Sequence, residues 1–244
     1  MTHRSGCLVC GRELKYFNPP IKLKCLKCGS EFESGVSCAD GHYVCDDCHS
    51  KDGYAFIGEY AERTSSKNPV EIATGMMKHA SINMHGPEHH YLIIAALLAA
   101  YRNAGGEIDL EKALSTARQR SKSVPGGICG QWGCCGAGIG AGIFISIISG
   151  ATPMSVEPWS LANKMTSLSL EAISQNGGPR CCKRDTYLSI LTAINYVREH
   201  FNIKMERQDD LICVFSGMNP SCRKECCLFY QAPTGAICRR RYGD

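Results

Sequence analysis

The run HHYLIIAALLAAY, from His89 to Tyr101, decides the fold. It is apolar on every side of a helix rather than along one stripe, and Pro87 suits the first turn of such a helix. Gly105 and Gly106 follow as a stop signal. Because a helix that is apolar all round needs neighbours on every side, we expect this one to lie at the centre of a helical core.

The sequence that follows supplies the neighbours. Asp109 and Asp185 are well placed to cap two of the predicted helices. A row of very small residues at every fourth position, from Gly138 to Gly150, predicts a closely packed helix that begins near Gly136. Apolar residues recur at helical spacing in three further stretches: Leu110–Ala117, Leu161–Ala172 and Tyr187–Phe201.

The predicted fold class is therefore mainly α. A small N-terminal zinc-ribbon or RING-like module of the treble-clef type precedes a helical, Cys-rich domain. The runs LICVF and CLFY near the C-terminus predict two short strands. We expect a two-zinc Cys/His module over 1–61, a linker over 62–69, a helical Gly/Cys-rich domain over 70–205 and a Cys-rich C-terminal extension over 206–244.

The chain contains 17 cysteines and carries a formal net charge of +4. Its first residues include no apolar segment typical of a signal peptide, so we expect a reducing cytoplasm in which the thiols serve metal or redox chemistry. No apolar run approaches the roughly 20 residues that a membrane span needs. The weak positive charge does not favour a nucleic-acid partner, although it does not exclude one.

Cysteine pairs at metal-ligand spacing fill the first fifty residues. Two C-x2-C-G knuckles are followed by C-x3-H-x2-C-x2-C, which gives enough ligands for two closed tetrahedral sites. Thiolate and imidazole ligands in this number indicate two structural Zn²⁺ ions. The predicted ligands are Cys7, Cys10, Cys25, Cys28, Cys38, His42, Cys45 and Cys48.

The sequence leaves open which ligands share an ion. The run from Cys25 to Cys48 resembles the first six ligands of a RING finger, in which alternate pairs bind one zinc. That arrangement groups Cys25 and Cys28 with Cys45 and Cys48, whereas a sequential zinc ribbon groups them with Cys7 and Cys10. A ubiquitin-ligase function does not follow from an incomplete pattern, and docking to protein, nucleic acid or the second domain stays open.

Cysteines of the second domain precede two predicted helices, in GGICGQWGCCGAGIGAG and GGPRCCKRD. A helix N-terminus and neighbouring cations stabilise thiolates, so we expect lowered thiol pKa values there. Such thiols are suited to an iron–sulfur cluster or to redox exchange. The candidates are Cys129, Cys134, Cys135, Cys181 and Cys182, and the last four are also candidate catalytic groups.

The segment HGPEHH offers a second candidate site. It matches the H-x-x-E-H protease motif in letters only, because Pro87 in the first helical turn leaves His85 outside the helix. We expect its polar side chains to line a site at the mouth of the central helix as ligands or proton-transfer groups. These candidates are His85, Glu88, His89 and His90, with Arg180, Lys183 and Arg184 as contacts for an anionic substrate.

Five further cysteines lie in the C-terminal extension. Their spacing, C-x8-C-x3-C-C-x10-C, matches no established motif, and the sequence leaves open whether they hold a metal or a cluster. They are Cys213, Cys222, Cys226, Cys227 and Cys238.

The pattern HGPEHH, VPGGICGQWGCCGAGIGAGIF and GGPRCCKRD behind a Cys-rich zinc-ribbon head resembles a family of archaeal and anaerobic-bacterial proteins that is defined only as a domain of unknown function. That resemblance covers nearly the whole chain and implies no established activity. The stretch from Gly126 to Cys182 is also similar, more weakly, to the redox family named for its C-GCAxxG-C-C cysteines, although Cys135-Gly136-Ala137 replaces the order Gly-Cys-Ala.

Three hypotheses follow. The first is a cytoplasmic metalloprotein whose body cysteines carry an iron–sulfur cluster or redox thiols, acting in electron transfer, sulfur handling or conversion of a small molecule, with a redox partner protein or small substrate. The second is a zinc-dependent protein- or nucleic-acid-binding module on a helical scaffold. The third is a non-redox enzyme that uses the HGPEHH site and the Gly-rich cleft. The sequence selects neither a substrate nor an oligomeric state, and leaves open whether the protein is an enzyme.

Overall fold

The computed structural model describes residues 6–232. Within this range a two-stranded sheet precedes eight α-helices, and two short 3-10 helices, Ser216–Met218 and Lys224–Cys226, end the described chain. The strands are β1 (Leu14–Lys24) and β2 (Glu31–Cys38). The helices are α1 (Asp46–Arg63), α2 (Pro69–Met77), α3 (Glu88–Asn103), α4 (Leu110–Lys122), α5 (Ile128–Gln131), α6 (Gly136–Ile148), α7 (Glu157–Gln175) and α8 (Cys182–Phe201).

The two strands form an antiparallel hairpin. Lys24 pairs with Glu31 at the closed end, and Leu14 pairs with Cys38 at the open end. Most side chains of β1 are exposed, so the hairpin has little core of its own. A sheet of this size is marginal alone, which leaves the Cys and His side chains at its two ends to organise the head.

Helix α1 joins the head, residues 6–45, to the helical body. Cys45 lies at its N-cap and Cys48 in its first turn, whereas Tyr54, Ile57 and Ala61 are buried in the core of the body. Asp46 accepts a hydrogen bond from the backbone N–H of Gly126 at 2.7 Å. The head is therefore fixed to the body through a helix that belongs to both.

Helix α3 occupies the centre of the body, as predicted. It contacts α1, α2, α4, α6 and α8, and every residue from Tyr91 to Tyr101 is buried. Pro87 is the N-cap residue, so His85 lies outside the helix as expected. Each fully buried leucine or isoleucine contributes about 1.5–3 kcal/mol of hydrophobic stabilisation, which makes α3 the main source of the core.

The small residues of α6 allow the close packing that the sequence predicts. Gly136 and Gly140 face His90 and Ile93 of α3, and Gly138 and Gly142 face α7. A methyl group at any of these positions would meet atoms of the neighbouring helix. Helix α6 is thereby wedged between two partners.

Two local predictions were wrong. The strands expected near the C-terminus are not formed within residues 206–232. The Cys213 N–H donates to the Phe229 carbonyl, but the Phe215 N–H donates to the sulfur of Cys213, so the pairing does not extend into a ladder. Asp185 is not the N-cap of α8, because the helix begins at Cys182 and Cys181 occupies the cap. The carboxylate instead turns back to accept from the Cys181 N–H at 3.5 Å.

Within residues 6–232, none of the helices combines the length and apolar character that crossing a bilayer would require.

Candidate functional site

The eight predicted ligands of the head form two separate groups, each of which could hold one metal ion. Within each group the ligand atoms all lie within 4.8 Å of one another. The Sγ atoms of Cys10 and Cys38 are 3.4 Å apart, and those of Cys28 and Cys45 are 3.9 Å apart. Thiolates around one tetrahedral Zn²⁺ at about 2.3 Å lie roughly 3.8 Å apart, so both groups fit such an ion. The groups are Cys7, Cys10, Cys38 and His42, and Cys25, Cys28, Cys45 and Cys48.

The hairpin explains why alternate pairs share a group. Cys38 pairs with the start of β1 and so lies beside the first knuckle, whereas the knuckle at Cys25 lies at the far end of the hairpin. An 11-residue strand spans up to about 36 Å, which separates the two knuckles. The chain then returns, with the Leu26 N–H donating to the Tyr43 carbonyl at 2.9 Å, and brings Cys45 to the second knuckle. Of the two arrangements left open by the sequence, the alternating one is formed.

Backbone amides donate hydrogen bonds to several of these sulfurs. The N–H groups of Val9 and Asp40 donate to Cys7 and Cys38, each at 3.4 Å. Burial opposes ionisation of the Cys25 thiol, but backbone N–H donors outweigh it and lower its pKa to about 6. The donors favour the thiolate, which is the form that binds a metal.

The HGPEHH residues do not form one site. Glu88 is fully buried and accepts two hydrogen bonds from Asn83, at 2.9 and 3.1 Å. The Nε2 of His89 is 3.0 Å from the Asn83 carbonyl, and the Nδ1 of His90 is 3.0 Å from the Val124 carbonyl. Three of the four side chains therefore hold the body together, and only His85 reaches a large cleft.

That cleft lies between the head and the body and has a volume of about 1430 Å³. Strand β1 lines one side with Tyr16 and Phe17, and the loop before α8 lines the other. The space exceeds that of ordinary small-molecule sites, which are roughly 300–1,000 Å³. Seven of the residues that line it carry thiol, imidazole, guanidinium or carboxylate groups: Glu13, His85, Cys129, Cys135, Arg180, Arg184 and Asp185.

Cys135 and Asp185 face each other in this cleft, with 3.7 Å between Sγ and Oδ2. Arg184 pairs with the other oxygen of the same carboxylate at 2.9 Å. Burial, followed by the charge of Asp185, raises the pKa of the Cys135 thiol. Burial likewise raises the pKa of Cys182 to about 12 and that of Cys181 above its usual range. The expectation of lowered thiol pKa values at these helix starts was wrong, because desolvation outweighs the helix dipole.

The three predicted anion contacts differ in position. Lys183 is fully buried and donates to the Asn83 carbonyl at 3.1 Å, so it cannot contact a molecule in the cleft. Arg184 is almost fully buried and paired with Asp185. Arg180 is half-buried on the cleft wall and forms no salt bridge with any residue in the range 6–232. Burial and the nearby Arg180 lower the pKa of His85 to about 4, so this imidazole is neutral near pH 7.

Some of the remaining cysteines line a second, smaller cavity, and the others lie outside it. A small cavity, of about 20 Å³, lies under the cleft between the start of α8 and residues 213–230. Cys134 is outside both spaces, Cys226 is disulfide-bonded, and Cys238 lies outside the described residues. Sequence reasoning missed the role of Asp185 and Asn219 in the cleft wall, for which the chain offers no local signal. The cysteines that line the cavity are Cys181, Cys213, Cys222 and Cys227.

Fold and site together define a class of protein: an alternating two-centre Cys/His head fused through one helix to an all-helical body, with a thiol-lined cleft between them. The chain belongs to DUF5714, a family of unknown function, whose sequence profile matches residues 57–230. This range starts within α1 and covers the body, so the eight ligands of the head precede it. Neither a curated protein nor a solved structure matches the chain.

Proposed function

We propose that the protein is a redox metalloprotein that binds a small anionic molecule in the cleft between head and body. The observation that carries the proposal is the cleft itself, which gathers the Arg180 guanidinium, the neutral His85 imidazole and body thiols in one space. A guanidinium without a salt-bridge partner in residues 6–232 is the natural contact for a carboxylate, sulfonate or phosphate group.

In this proposal the head holds two Zn²⁺ ions with a structural role. Each group supplies four ligands, which completes a tetrahedral shell and leaves no coordination position for a substrate. The ions would order a hairpin that lacks a core of its own and so hold β1 in place as one wall of the cleft.

The cysteines of the body supply the redox centre. Cys135 is an unsuitable free nucleophile, since burial and Asp185 keep its thiol protonated near neutral pH. We therefore assign it to the wall of the binding site, with the redox chemistry at metal-bound thiolates. Iron–sulfur clusters are held in proteins by cysteine thiolates, so we assign such a cluster to cysteines of the body.

Paired alkylating agents test the anion site. Iodoacetate and iodoacetamide differ by a carboxylate, and their relative rates at the half-exposed Cys129 report the local attraction for an anion. We expect Arg180→Gln to lower the iodoacetate-to-iodoacetamide ratio by roughly two- to five-fold, the size of one charge contact near a protein surface. Peptide mass spectrometry gives the ratio for each cysteine.

Arg198→Gln is the matched control, because Arg198 is exposed at the other end of α8. It should leave the ratio unchanged. Equal iodoacetate-to-iodoacetamide ratios in the native protein and in Arg180→Gln would contradict the anion site.

A further inference from the structure

We infer that Cys181, Cys213, Cys222 and Cys227 are the four ligands of an iron–sulfur cluster. These cysteines are separated by up to 46 positions in the sequence, yet they line one cavity between the start of α8 and the C-terminal segment. The role of this cluster rests on the proposed function. Its position does not, because the position is argued from the cavity alone.

Each of the four sulfurs accepts a backbone hydrogen bond from a residue two or three positions further on. The N–H of Phe215 donates to Cys213 and that of Lys224 to Cys222, both at 3.4 Å. Cys227 accepts from Phe229, and Cys181 accepts from Arg184. Such N–H donors can balance part of the negative charge of a metal-bound thiolate.

The same turn marks the metal ligands of the head. Cys7 accepts from Val9 and Cys38 from Asp40, again two residues on and at 3.4 Å. The turn is not confined to ligands, because Cys135 also accepts from the N–H of Ala137 two residues on, so the shared cavity carries the assignment. Asn219 adds a side-chain donor to Cys181 at 3.6 Å, which ties the loop between Phe215 and Cys222 to the cavity.

The charges around the cavity favour an anionic occupant. Lys183 is fully buried, and its Nζ lies 4.8 Å from the centre of the Phe215 ring without a salt bridge to any carboxylate in residues 6–232. Arg184 and Arg223 line the same cavity. The carboxylate of Glu88 acts on Lys183 electrostatically but does not pair with it directly, and a buried ammonium is costly without a closely compensating charge. Four thiolates around an iron–sulfur core carry a net negative charge, which would supply it.

The spacing of the sulfurs does not match a single tetrahedral ion. In the head, all ligand atoms of a group lie within 4.8 Å of one another, and no three of the four cavity cysteines meet that condition. One tetrahedral Zn²⁺ draws its thiolates to about 3.8 Å. A core of several irons with bridging sulfides holds its four cysteines farther apart.

The cavity also adjoins the cleft, since both are lined by Arg184, Asn219 and Ser221. A cluster at this position would lie next to a molecule bound in the cleft. One electron delivered to the cluster by a redox partner protein, which is itself oxidised, would then have a short path to that molecule, with Arg184 between them.

The test is metal analysis of the full chain purified without oxygen. We expect iron and acid-labile sulfide in equal amounts in addition to the zinc of the head. Dithionite should bleach the visible colour by giving one electron to each cluster, with its own oxidation to sulfite, and the reduced cluster should give an electron paramagnetic resonance signal.

Substitutions locate the cluster. Cys213→Ser and Cys222→Ser should each lower the iron content at least five-fold while zinc is retained, and retained zinc with native circular dichroism shows that the chain has folded. Cys134→Ser is the matched control, because Cys134 lies outside the cavity, and it should keep its iron. If Cys213→Ser does not fold, Cys222→Ser decides, since its side chain lies in a partly exposed loop.

Absence of iron, additional zinc in place of iron, or equal loss of iron in Cys134→Ser would each overturn the inference. The alkylation ratio at Cys129 needs no iron for its readout. A protein that keeps the Arg180 effect but lacks iron would therefore contradict the cluster alone, and one that binds iron without the Arg180 effect would contradict the anion site alone.

Discussion

Among single residues, Gly140 shows how one missing side chain sets the position of a whole helix. Its Cα faces α3, where an added Cβ would lie 2.5 Å from Ile93 Cγ2 and 3.2 Å from the carbonyl oxygen of His90. The backbone of α3 cannot yield there, because α3 is enclosed by five other helices. The glycine is therefore a condition for the contact between α6 and α3.

We predict that Gly140→Ala destabilises the protein by about 1–3 kcal/mol, the usual cost of overpacking a core. Gly130→Ala is the matched control, since no atom lies within 4 Å of the added methyl group, and its effect should stay within about 0.5 kcal/mol. Urea denaturation followed by circular dichroism measures both. Equal stability of the two variants would contradict the packing described for α6.

Single residues also show what the sequence could not predict. The ligands of the head were predictable because C-x2-C spacing is a local pattern. The pKa of Cys135 was not, because it depends on burial and on Asp185, which lies 50 positions further along the chain. The sequence shows where a helix starts, and the helix dipole there lowers the pKa of a thiol. It does not show how deeply the thiol is buried, and burial raises that pKa.

Among the elements, the hairpin determines how the head is assembled. Its register places Cys38 at the end where β1 begins and thereby enforces alternating metal groups. The sequence left this open because ligand spacing alone is compatible with both arrangements, and only the strand length and register distinguish them. The long helices were predictable from periodicity. The C-terminal strands were not formed, because the Phe215 N–H donates to a cysteine sulfur and does not continue the pairing begun by Cys213 and Phe229.

Removing one ligand tests this alternation. In Cys7→Ala we predict that bound zinc falls from two ions to one and that Cys10 and Cys38 become reactive toward iodoacetamide, while Cys25 and Cys28 stay protected. The reciprocal variant Cys28→Ala should expose Cys25, Cys45 and Cys48 and leave Cys38 protected. Labelling of Cys25 and Cys28 in Cys7→Ala would instead indicate a sequential zinc ribbon.

At the scale of the whole molecule, helix α1 couples the two parts. Its first turn belongs to a metal group, and its later turns are buried against α3. The cleft is formed by both parts, and the four-cysteine cavity lies directly beneath it. In the proposed function, this cleft would lie between a wall ordered by zinc and a redox centre.

The four-cysteine cavity could not be predicted from the sequence, because it depends on contacts between distant parts of the chain. Cys181 and the cysteines of the tail are brought together only by the packing of residues 213–230 on the start of α8, and the hydrogen bond from Cys213 to the Phe229 carbonyl at 2.7 Å closes that segment. The spacing of the cysteines along the chain does not indicate this contact.

A crystal of the anaerobically purified protein would show which metal occupies each site. Anomalous scattering recorded at the iron and zinc absorption edges distinguishes the two elements at each site. We predict one zinc in each of the two groups of the head and iron between Cys181, Cys213, Cys222 and Cys227. Zinc or no metal between those four cysteines would contradict it.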